Sequence, residues 1–245
     1  VAQFLIQAPA SGDRPPVQGS GVIVGRNDNF YSVLTNWHVV QCNGPYRLQT
    51  ADGRQHEVVE KQELEDLDAA VVYFESDRSY EPVELGDSRQ LDAADPIFIL
   101  GFPSSYTNGG DRNLYINQLS ISTVKTGSSI SQGYALEYSD RPRPGTSGSP
   151  LIDENRKLVG IHGQADDLTS NSLSGIPLHL VLETSRQFVT SLQNPQRRAP
   201  QISNQPTSPR GSTPIDLLPE RPAVLYECLR SPLGIPTTYA RFNIN

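Results

Sequence analysis

The chain has 245 residues, of which 36% are hydrophobic and 19% are charged, and its formal net charge at pH 7 is −7. No run approaches 18 apolar residues, which argues against a membrane-spanning helix, and the acidic charge without a basic stripe argues against nucleic-acid binding. Residues 1–193 hold 14 Lys and Arg against 24 Asp and Glu, whereas residues 194–245 hold 6 against 3. This contrast fits a tail that packs on its own acidic body, and it fits an unattached linker equally well.

Short runs of β-forming residues, separated by turn signals, make up most of the chain before residue 165. The runs are residues 19–25, 31–40, 46–50, 56–64, 69–75, 95–103, 115–125, 134–138, 149–153 and 157–163. The first two flank the polar stretch "RNDN", which is a hairpin signal. Strands at this spacing, with no helical pattern between them, predict a sandwich or barrel rather than alternating strands and helices.

The remainder of the chain divides into a helix, a linker and a tail. Residues 178–192 predict one helix, because leucine and valine recur at spacings that form one apolar face. Residues 194–222 contain seven prolines among polar residues, which predicts an extended linker. Residues 223–245 regain apolar character but are too short to enclose a core, so we expect them to dock. The sequence therefore predicts a folded domain over residues 1–193 and a linker with a docked tail over residues 194–245.

Three residues stand in contexts that suit nucleophilic catalysis. Ser147 lies in a glycine-rich turn, "GTSGS", and a serine hydroxyl needs a base that is itself oriented by a third group. His38 lies at the end of a predicted strand in "LTNWHVV", and Asp68 precedes the apolar run in "DLDAAVVYF". Asp66 is an alternative to Asp68, because it also precedes that run. The order His, Asp, Ser is typical of chymotrypsin-like double barrels.

The competing order is that of the α/β-hydrolases, in which serine comes first. That assignment would use Asp166 or Asp167 with His179, which leaves no room for a crossover helix after Ser147. The turn also lacks the final glycine of the GxSxG motif of those enzymes. The sequence therefore favours the double barrel.

The stretches "LTNWHVV", "DLDAAVVYF" and "GTSGSPLIDENRKLVGIHG" together resemble the three catalytic blocks of bacterial trypsin-like serine peptidases. Within that family, the nearest branches are the glutamyl endopeptidases and the HtrA-type proteases. The resemblance covers residues 1–193 and implies an all-β fold, a chymotrypsin-like double six-stranded β-barrel with a C-terminal helix and an extended tail. It also implies a serine endopeptidase that works through an acyl-enzyme intermediate. We expect no cofactor and no metal site.

The resemblance assigns roles to individual residues. His38 resembles the general base and acid, Asp68 the carboxylate that orients it, and Ser147 the nucleophile. The backbone N–H groups of Gly145 and Ser147 would form the oxyanion hole. The position directly before the nucleophile is Thr146, where animal trypsin-like enzymes carry an aspartate, so activation through that aspartate is not available here.

The residues around the substrate pocket suggest a preference for Glu or Asp at the cleaved position (P1). Arg141 stands where trypsin has its specificity aspartate, and Arg143 follows it. His162 matches the histidine that contacts the acidic side chain in the glutamyl branch. Arginine and histidine side chains can donate hydrogen bonds to the carboxylate of an acidic P1 residue. The alternative is that both arginines point into solvent and His162 is an ordinary strand residue, which would leave a small or apolar P1.

The resemblance also bears on the two cysteines and on where the protein acts. Cys42 lies in a loop where related enzymes often place a half-cystine, and Cys228 is the one partner available, so we expect a disulfide; two unpaired thiols are the alternative. A secreted or periplasmic location follows from that expectation. The chain begins at Val1 and has no Met, which suggests a trimmed form. We expect a monomer with a peptide or protein substrate, the alternative being a catalytically silent binding module of a larger protein.

Overall fold

The structure, a computed structural model, describes residues 2–6, 18–42, 45–103, 113–127, 130–165 and 171–184. The chain divides into two units, Val1–Arg197 and Arg198–Asn245, and every described residue belongs to the first. The predicted linker and docked tail therefore lie outside the described residues, as does the predicted helix after Thr184. None of the helices in the described part of the chain has the length and apolar character needed to cross a membrane.

The first half of the described chain forms a closed antiparallel barrel in the order β1-β2-β3-β6-β5-β4. Its strands are β1 (Ala2–Ile6), β2 (Gln18–Asn27), β3 (Phe30–Thr35), β4 (Tyr46–Thr50), β5 (Gln55–Leu64) and β6 (Ala69–Glu75). The barrel closes because β1 pairs with both β2 and β4. A one-turn helix, α1 (Trp37–Val40), follows β3.

The second half forms another closed antiparallel barrel, in the order β10-β11-β12-β9-β8-β7. Its strands are β7 (Pro96–Gly101), β8 (Tyr115–Val124), β9 (Leu136–Ser139), β10 (Pro150–Ile152), β11 (Leu158–Ala165) and β12 (Ser172–Pro177). Helix α2 (Leu178–Thr184) follows the last strand, and a short 3-10 helix, Ser88–Gln90, lies between the barrels in the sequence.

Three groups of buried apolar side chains hold these barrels together. One contains Tyr31, Leu48 and Phe74 of the first barrel, and a second contains Ile99 and Leu151 of the second barrel. The third group draws on both barrels. It contains Val22, Val24, Leu34, Leu64, Ala69, Val71, Tyr134, Leu158, Ile161, Ile176, Leu178 and Val181. Because this last group is buried only when the barrels meet, it fixes one barrel against the other.

The predicted double six-stranded barrel is confirmed, and one local prediction is corrected. The run predicted as a strand over residues 31–40 ends at Thr35, and its last residues form α1. Val39 and Val40 suit a buried strand or a buried helical turn equally well, and a tertiary contact decides between the two. Asn36, the residue between β3 and α1, donates from Nδ2 to the carbonyl of Asp68 at 2.9 Å, which turns the chain. Strands β1 and β12 have no counterpart among the predicted runs.

Candidate active site

The structure brings His38 and Asp68 into direct contact. His38 lies in α1, whose valines are buried, so the helix is anchored while the imidazole remains partly exposed. Its backbone N–H donates to Oδ1 of Asp68 at 2.9 Å, and its ring Nδ1 lies 2.6 Å from Oδ2. With Nδ1 donating to a carboxylate, the neutral ring carries no proton on Nε2, which is left as the basic atom.

Asp68 lies at the end of the turn between β5 and β6, and its carboxylate is largely buried. Its backbone N–H donates to the carbonyl of Gln132 at 2.9 Å, and the hydroxyl of Tyr134 donates to Oδ2. Burial by itself would raise the pKa of Asp68, but the charge and hydrogen bonds of His38 together with the Tyr134 hydroxyl hold that pKa below its usual value. Asp66, the alternative acid, is exposed and lies in the turn with a φ of 64°. The carboxylate that meets His38 is therefore that of Asp68.

Ser147 lies in a turn between two glycines that both have positive φ, Gly145 at 87° and Gly148 at 82°. Its hydroxyl donates to the carbonyl of Gly163 at 3.1 Å. A Cβ on Gly148 would lie 2.1 Å from the carbonyl oxygen of Ser20, so the turn packs directly against β2. Only glycine meets both demands, the left-handed backbone and the close approach.

Ser20 of β2 binds the same turn through both its backbone and its side chain. Its N–H donates to the carbonyl of Ser147 at 2.7 Å, and its hydroxyl donates to the carbonyl of Gly145 at 2.9 Å. Thr35, three residues before His38, donates from Oγ1 to the Ser20 carbonyl at 2.8 Å. Ser20 therefore connects the strand that leads to His38 with the turn that carries Ser147.

A second chain of contacts links Ser147 to Asp68. The Gly163 carbonyl accepts from Ser147, and a Cβ on Gly163 would lie only 2.1 Å from Cε1 of Tyr134. The hydroxyl of Tyr134 in turn donates to Asp68. These contacts connect Ser147 with the His38–Asp68 pair across the junction of the barrels, and the serine hydroxyl is turned toward Gly163.

His162 lies on β11 and is buried. Its Nδ1 lies 2.7 Å from the hydroxyl of Tyr138. Burial lowers the pKa of this imidazole to about 4, and the nearby charge of His38 acts in the same direction. His162 is therefore neutral at physiological pH.

The two arginines predicted for the pocket are exposed. The guanidinium of Arg143 lies 4.4 Å from the centre of the Tyr115 ring, a cation–π contact on β8. The carboxylate of Asp140, the residue directly before Arg141, accepts hydrogen bonds from the Tyr115 hydroxyl at 2.7 Å and from Asn117 Nδ2 at 3.0 Å. Among the contacts of the described residues, none joins Arg141 or Arg143 to His162.

Sequence reasoning missed Ser20, Tyr134 and Gly163. The sequence contains a weak indication that Ser20 is in a closely packed position, because it stands between two glycines in "GSGVIVG". It contains no such indication for Tyr134 and Gly163, because their importance comes from contacts across the fold. The structure describes only one of the two cysteines predicted to form a disulfide. Cys42 is half-buried, and its carbonyl accepts a hydrogen bond from the Tyr46 hydroxyl at 2.8 Å, whereas Cys228 lies outside the described residues.

The chain is similar to named serine proteases of other organisms. The chain is 31% identical to the putative serine protease HhoA of Synechocystis sp. over 146 residues, which is 59% of this chain and 36% of that protein. It is 25% identical to the serine protease Do-like HtrA of Bacillus subtilis over 183 residues, 68% of this chain and 37% of that one. The chain thus spans well under half the length of these relatives.

A solved structure and a family model agree with these relatives. An HtrA-type protease solved with a decapeptide superposes with a TM-score of 0.55 at 21% identity, covering 80% of this chain and 64% of that one, which shows a shared fold. The model of the trypsin-like peptidase domain matches residues 19–161, more than half of the chain, and this range contains His38, Asp68 and Ser147. The chain therefore belongs to the trypsin-like peptidase domain family.

Proposed function

We propose that this chain is the peptidase domain of a serine endopeptidase, with Ser147 as nucleophile, His38 as general base and acid, and Asp68 as the group that orients His38. The observation that carries the proposal is the pair of hydrogen bonds from His38 to one carboxylate, 2.9 Å to Oδ1 and 2.6 Å to Oδ2. When the ring donates from Nδ1 to Oδ2, its neutral form has a basic Nε2. The relatives, which are named serine proteases, support a peptide substrate.

The reaction follows from these roles. The Ser147 side chain must first rotate away from the Gly163 carbonyl, to which its hydroxyl donates, so that Oγ can reach His38 Nε2. Nε2 then takes the hydroxyl proton as Oγ bonds to the substrate carbonyl carbon. The carbonyl oxygen becomes an oxyanion that accepts from the N–H groups of Gly145 and Ser147. The C–N bond then breaks, the amine leaves with the proton from Nε2, and an acyl-enzyme ester remains. Water attacks this ester, gives its proton to Nε2, and releases the acid as Oγ regains a proton.

The glycine turn supports the proposed oxyanion hole. Gly145 has a φ of 87°, a conformation that side-chain-bearing residues rarely adopt and that turns the backbone sharply beside Ser147. Ser20 holds the Gly145 carbonyl at 2.9 Å and the Ser147 carbonyl at 2.7 Å, which keeps the turn rigid. Donors that need not reorganise during the reaction stabilise the developing charge best.

The proposal is tested by labelling with a fluorophosphonate, in which an activated serine oxygen displaces fluoride from phosphorus. The chain should be labelled at Ser147, and Ser147→Ala and His38→Ala should each abolish labelling and lower kcat for a peptide by about a thousandfold or more with the fold retained. Ser149→Ala is the matched control. Its hydroxyl is buried in the same turn and has no hydrogen-bond partner within the described part of the chain, so labelling should persist.

Failure of the wild-type chain to react would contradict the proposal. It would favour the alternative, a silent protease-fold module that binds a partner. Mild loss in Asp68→Asn together with severe loss in Asp66→Asn would instead overturn the assignment of the acid.

We further propose that the peptidase prefers Glu or Asp at P1, with His162 as the donor to the substrate carboxylate. When Nδ1 of His162 accepts from the Tyr138 hydroxyl, 2.7 Å away, the ring proton resides on Nε2, which can donate to an acidic side chain. A substrate carboxylate must be desolvated on entry, and such a donor offsets part of that cost. Arg141 and Arg143 are exposed beside the turn and would add positive charge there, and the charge of Arg143 lowers the pKa of the Asp140 carboxylate.

Profiling with a diverse peptide mixture tests this specificity. His162→Ala should lower kcat/KM for substrates with Glu at P1 by about tenfold or more, and far less for substrates with Ala. His179→Ala is the control, because its ring bonds Ser88 instead. Since His162 is neutral, the preference for Glu should hold between about pH 6 and about pH 8. Cleavage mainly after Lys, Arg or large apolar residues, with none after Glu, would remove the specificity proposal and leave the triad untouched.

The remaining expectations concern the environment of the domain. A monomeric state, a secreted or periplasmic location, a Cys42–Cys228 disulfide and a tail docked on residues 1–193 all stay predictions.

A further inference from the structure

Among the described residues, the Asp68 carboxylate receives one hydrogen bond from outside the His38–Asp68–Ser147 triad. Two of the three donors in this part of the chain belong to His38, the backbone N–H on Oδ1 and ring Nδ1 on Oδ2. The third is the hydroxyl of Tyr134, which also donates to Oδ2. A carboxylate that is 10% exposed depends on such donors to remain ionised, so the tyrosine hydroxyl is part of what keeps Asp68 charged.

Tyr134 comes from the other barrel, from the segment directly before β9, and it is 4% exposed. Its ring can occupy this place because Gly163 on β11 has no side chain. A Cβ there would lie 2.1 Å from Cε1, 2.6 Å from Cζ and 2.3 Å from the hydroxyl oxygen. The space that a side chain at residue 163 would fill is therefore the space that the tyrosine takes to reach Asp68.

The backbone directly before Tyr134 also packs against the segment that carries Asp68. Gly133 has a φ of 85°, and a Cβ on it would lie 2.6 Å from Cδ2 of Leu67, the residue next to Asp68. The N–H of Asp68 donates to the carbonyl of Gln132 at 2.9 Å. Residues 132–134 thus hold Asp68 through the backbone on one side and through the tyrosine hydroxyl on the other.

We propose that Tyr134 is a positioning residue for the triad: its hydroxyl holds the Asp68 carboxylate in the orientation that serves His38, and residue 163 is glycine so that the tyrosine can enter. The inference rests on the proposed function, because it concerns how Asp68 acts in catalysis. In this proposal, Tyr134 of the second barrel orients the acid and base of the triad, which both belong to the first barrel.

The Tyr134 hydroxyl remains a hydrogen-bond donor over the whole pH range in which a peptidase works. Burial, and then the negative charge of Asp68, raise the pKa of Tyr134 well above its usual value, so the phenol keeps its proton. Among the described residues, the titratable groups that face the Asp68 carboxylate are His38 from α1 and Tyr134 from the segment before β9. A change in the pH profile of a Tyr134 variant can therefore be assigned to this cluster.

The test is Tyr134→Phe, which keeps the ring and removes only the hydroxyl. We expect kcat/KM for a peptide substrate to fall by about tenfold to a hundredfold, as for loss of a hydrogen bond to a charged group. The acid limb of the kcat/KM profile should move to higher pH by about half a unit to one unit, because a carboxylate with one donor fewer attracts the imidazolium of His38 more strongly. Tyr31→Phe is the matched control, since that buried hydroxyl donates to the Arg78 carbonyl at 2.7 Å, and its profile should not move.

A double-mutant cycle separates a positioning role from a structural one. In an Asp68→Asn background the tyrosine no longer faces a charge, so adding Tyr134→Phe should change the rate with an activated ester by less than about threefold. An unchanged acid limb in Tyr134→Phe, or an equal loss in both backgrounds, would overturn the proposal.

The same measurements distinguish this proposal from the proposed function. Absence of fluorophosphonate labelling in the wild-type chain defeats the proposed function itself. A labelled, active wild type whose Tyr134→Phe variant matches it in rate and pH profile defeats only the role of Tyr134.

Discussion

His162 is a titratable ring that is almost completely buried. The fold provides its ring with the Tyr138 hydroxyl as partner, and burial keeps it neutral. In the unfolded chain the same imidazole takes up a proton near its ordinary pKa of 6.5, whereas in the folded chain it does so only near 4. The unfolded state therefore binds more protons in this interval, and the free energy of unfolding must fall as pH drops through it.

This linkage predicts a measurable loss of stability in mild acid. Between about pH 7 and about pH 5, His162 should lower the free energy of unfolding by on the order of 2 kcal/mol, with no further loss from this residue once pH is below about 4. His162→Gln, which can still accept from Tyr138, should remove most of that dependence when urea unfolding is measured at both pH values. His179→Gln should remove less, because that ring is partly exposed. Equal pH dependence in wild type and His162→Gln would contradict the assignment.

At the scale of elements, the turn over residues 145–149 acts as one unit with β2. The turn closes on itself through the Ser149 N–H and the Thr146 carbonyl at 2.9 Å, and it joins β11 through the Gly148 N–H and the His162 carbonyl at 2.8 Å. Ser20 supplies the contact with β2. The position of Ser147 is thus set by the turn itself, by β11 and by β2, which is far away in the sequence.

Two glycines with similar positive φ, Gly148 in this turn and Gly127 outside it, allow the packing of the turn to be tested. Gly148→Ala would place a Cβ 2.1 Å from the Ser20 carbonyl oxygen, at a φ of 82°. It should cost on the order of 3 kcal/mol of unfolding free energy and abolish fluorophosphonate labelling. Gly127→Ala is the control: its φ is 72° but nothing lies within 4 Å, so only the backbone cost of about 1 kcal/mol is expected, with labelling retained. Similar losses in the two variants would show that close packing against β2 is not what sets the cost.

At the scale of the whole molecule, the site exists only where the two barrels meet. His38 and Asp68 belong to the first barrel, whereas Tyr134, Ser147 and Gly163 belong to the second. The shared buried group of apolar side chains holds the barrels in contact, and the hydrogen bonds of Ser20 and Tyr134 cross the junction. Apolar burial supplies most of the energy of this contact, and the few polar contacts give it a defined geometry.

Much of the barrel architecture could be predicted from local pattern. The strands β4 and β6 coincide with predicted runs to the residue, because β-branched and aromatic residues there are bounded by turn chemistry. The end of β3 was predicted wrongly, since Val39 and Val40 satisfy strand and helix alike. Strand β12 has no predicted counterpart, because "SLSGIP" has little β-branched character and is a strand through its pairing with β9 and β11.

The sequence by itself determined the family resemblance and the identity of the candidate triad, because those signals are short motifs in a specific chain order. It left Asp66 and Asp68 as alternatives, and only the folded turn shows which of the two carboxylates contacts His38. Ser20, Tyr134 and Gly163 became visible only in the tertiary structure. Their roles depend on contacts between residues that lie 66 and 125 positions apart, and no local pattern of composition or periodicity encodes such a distance.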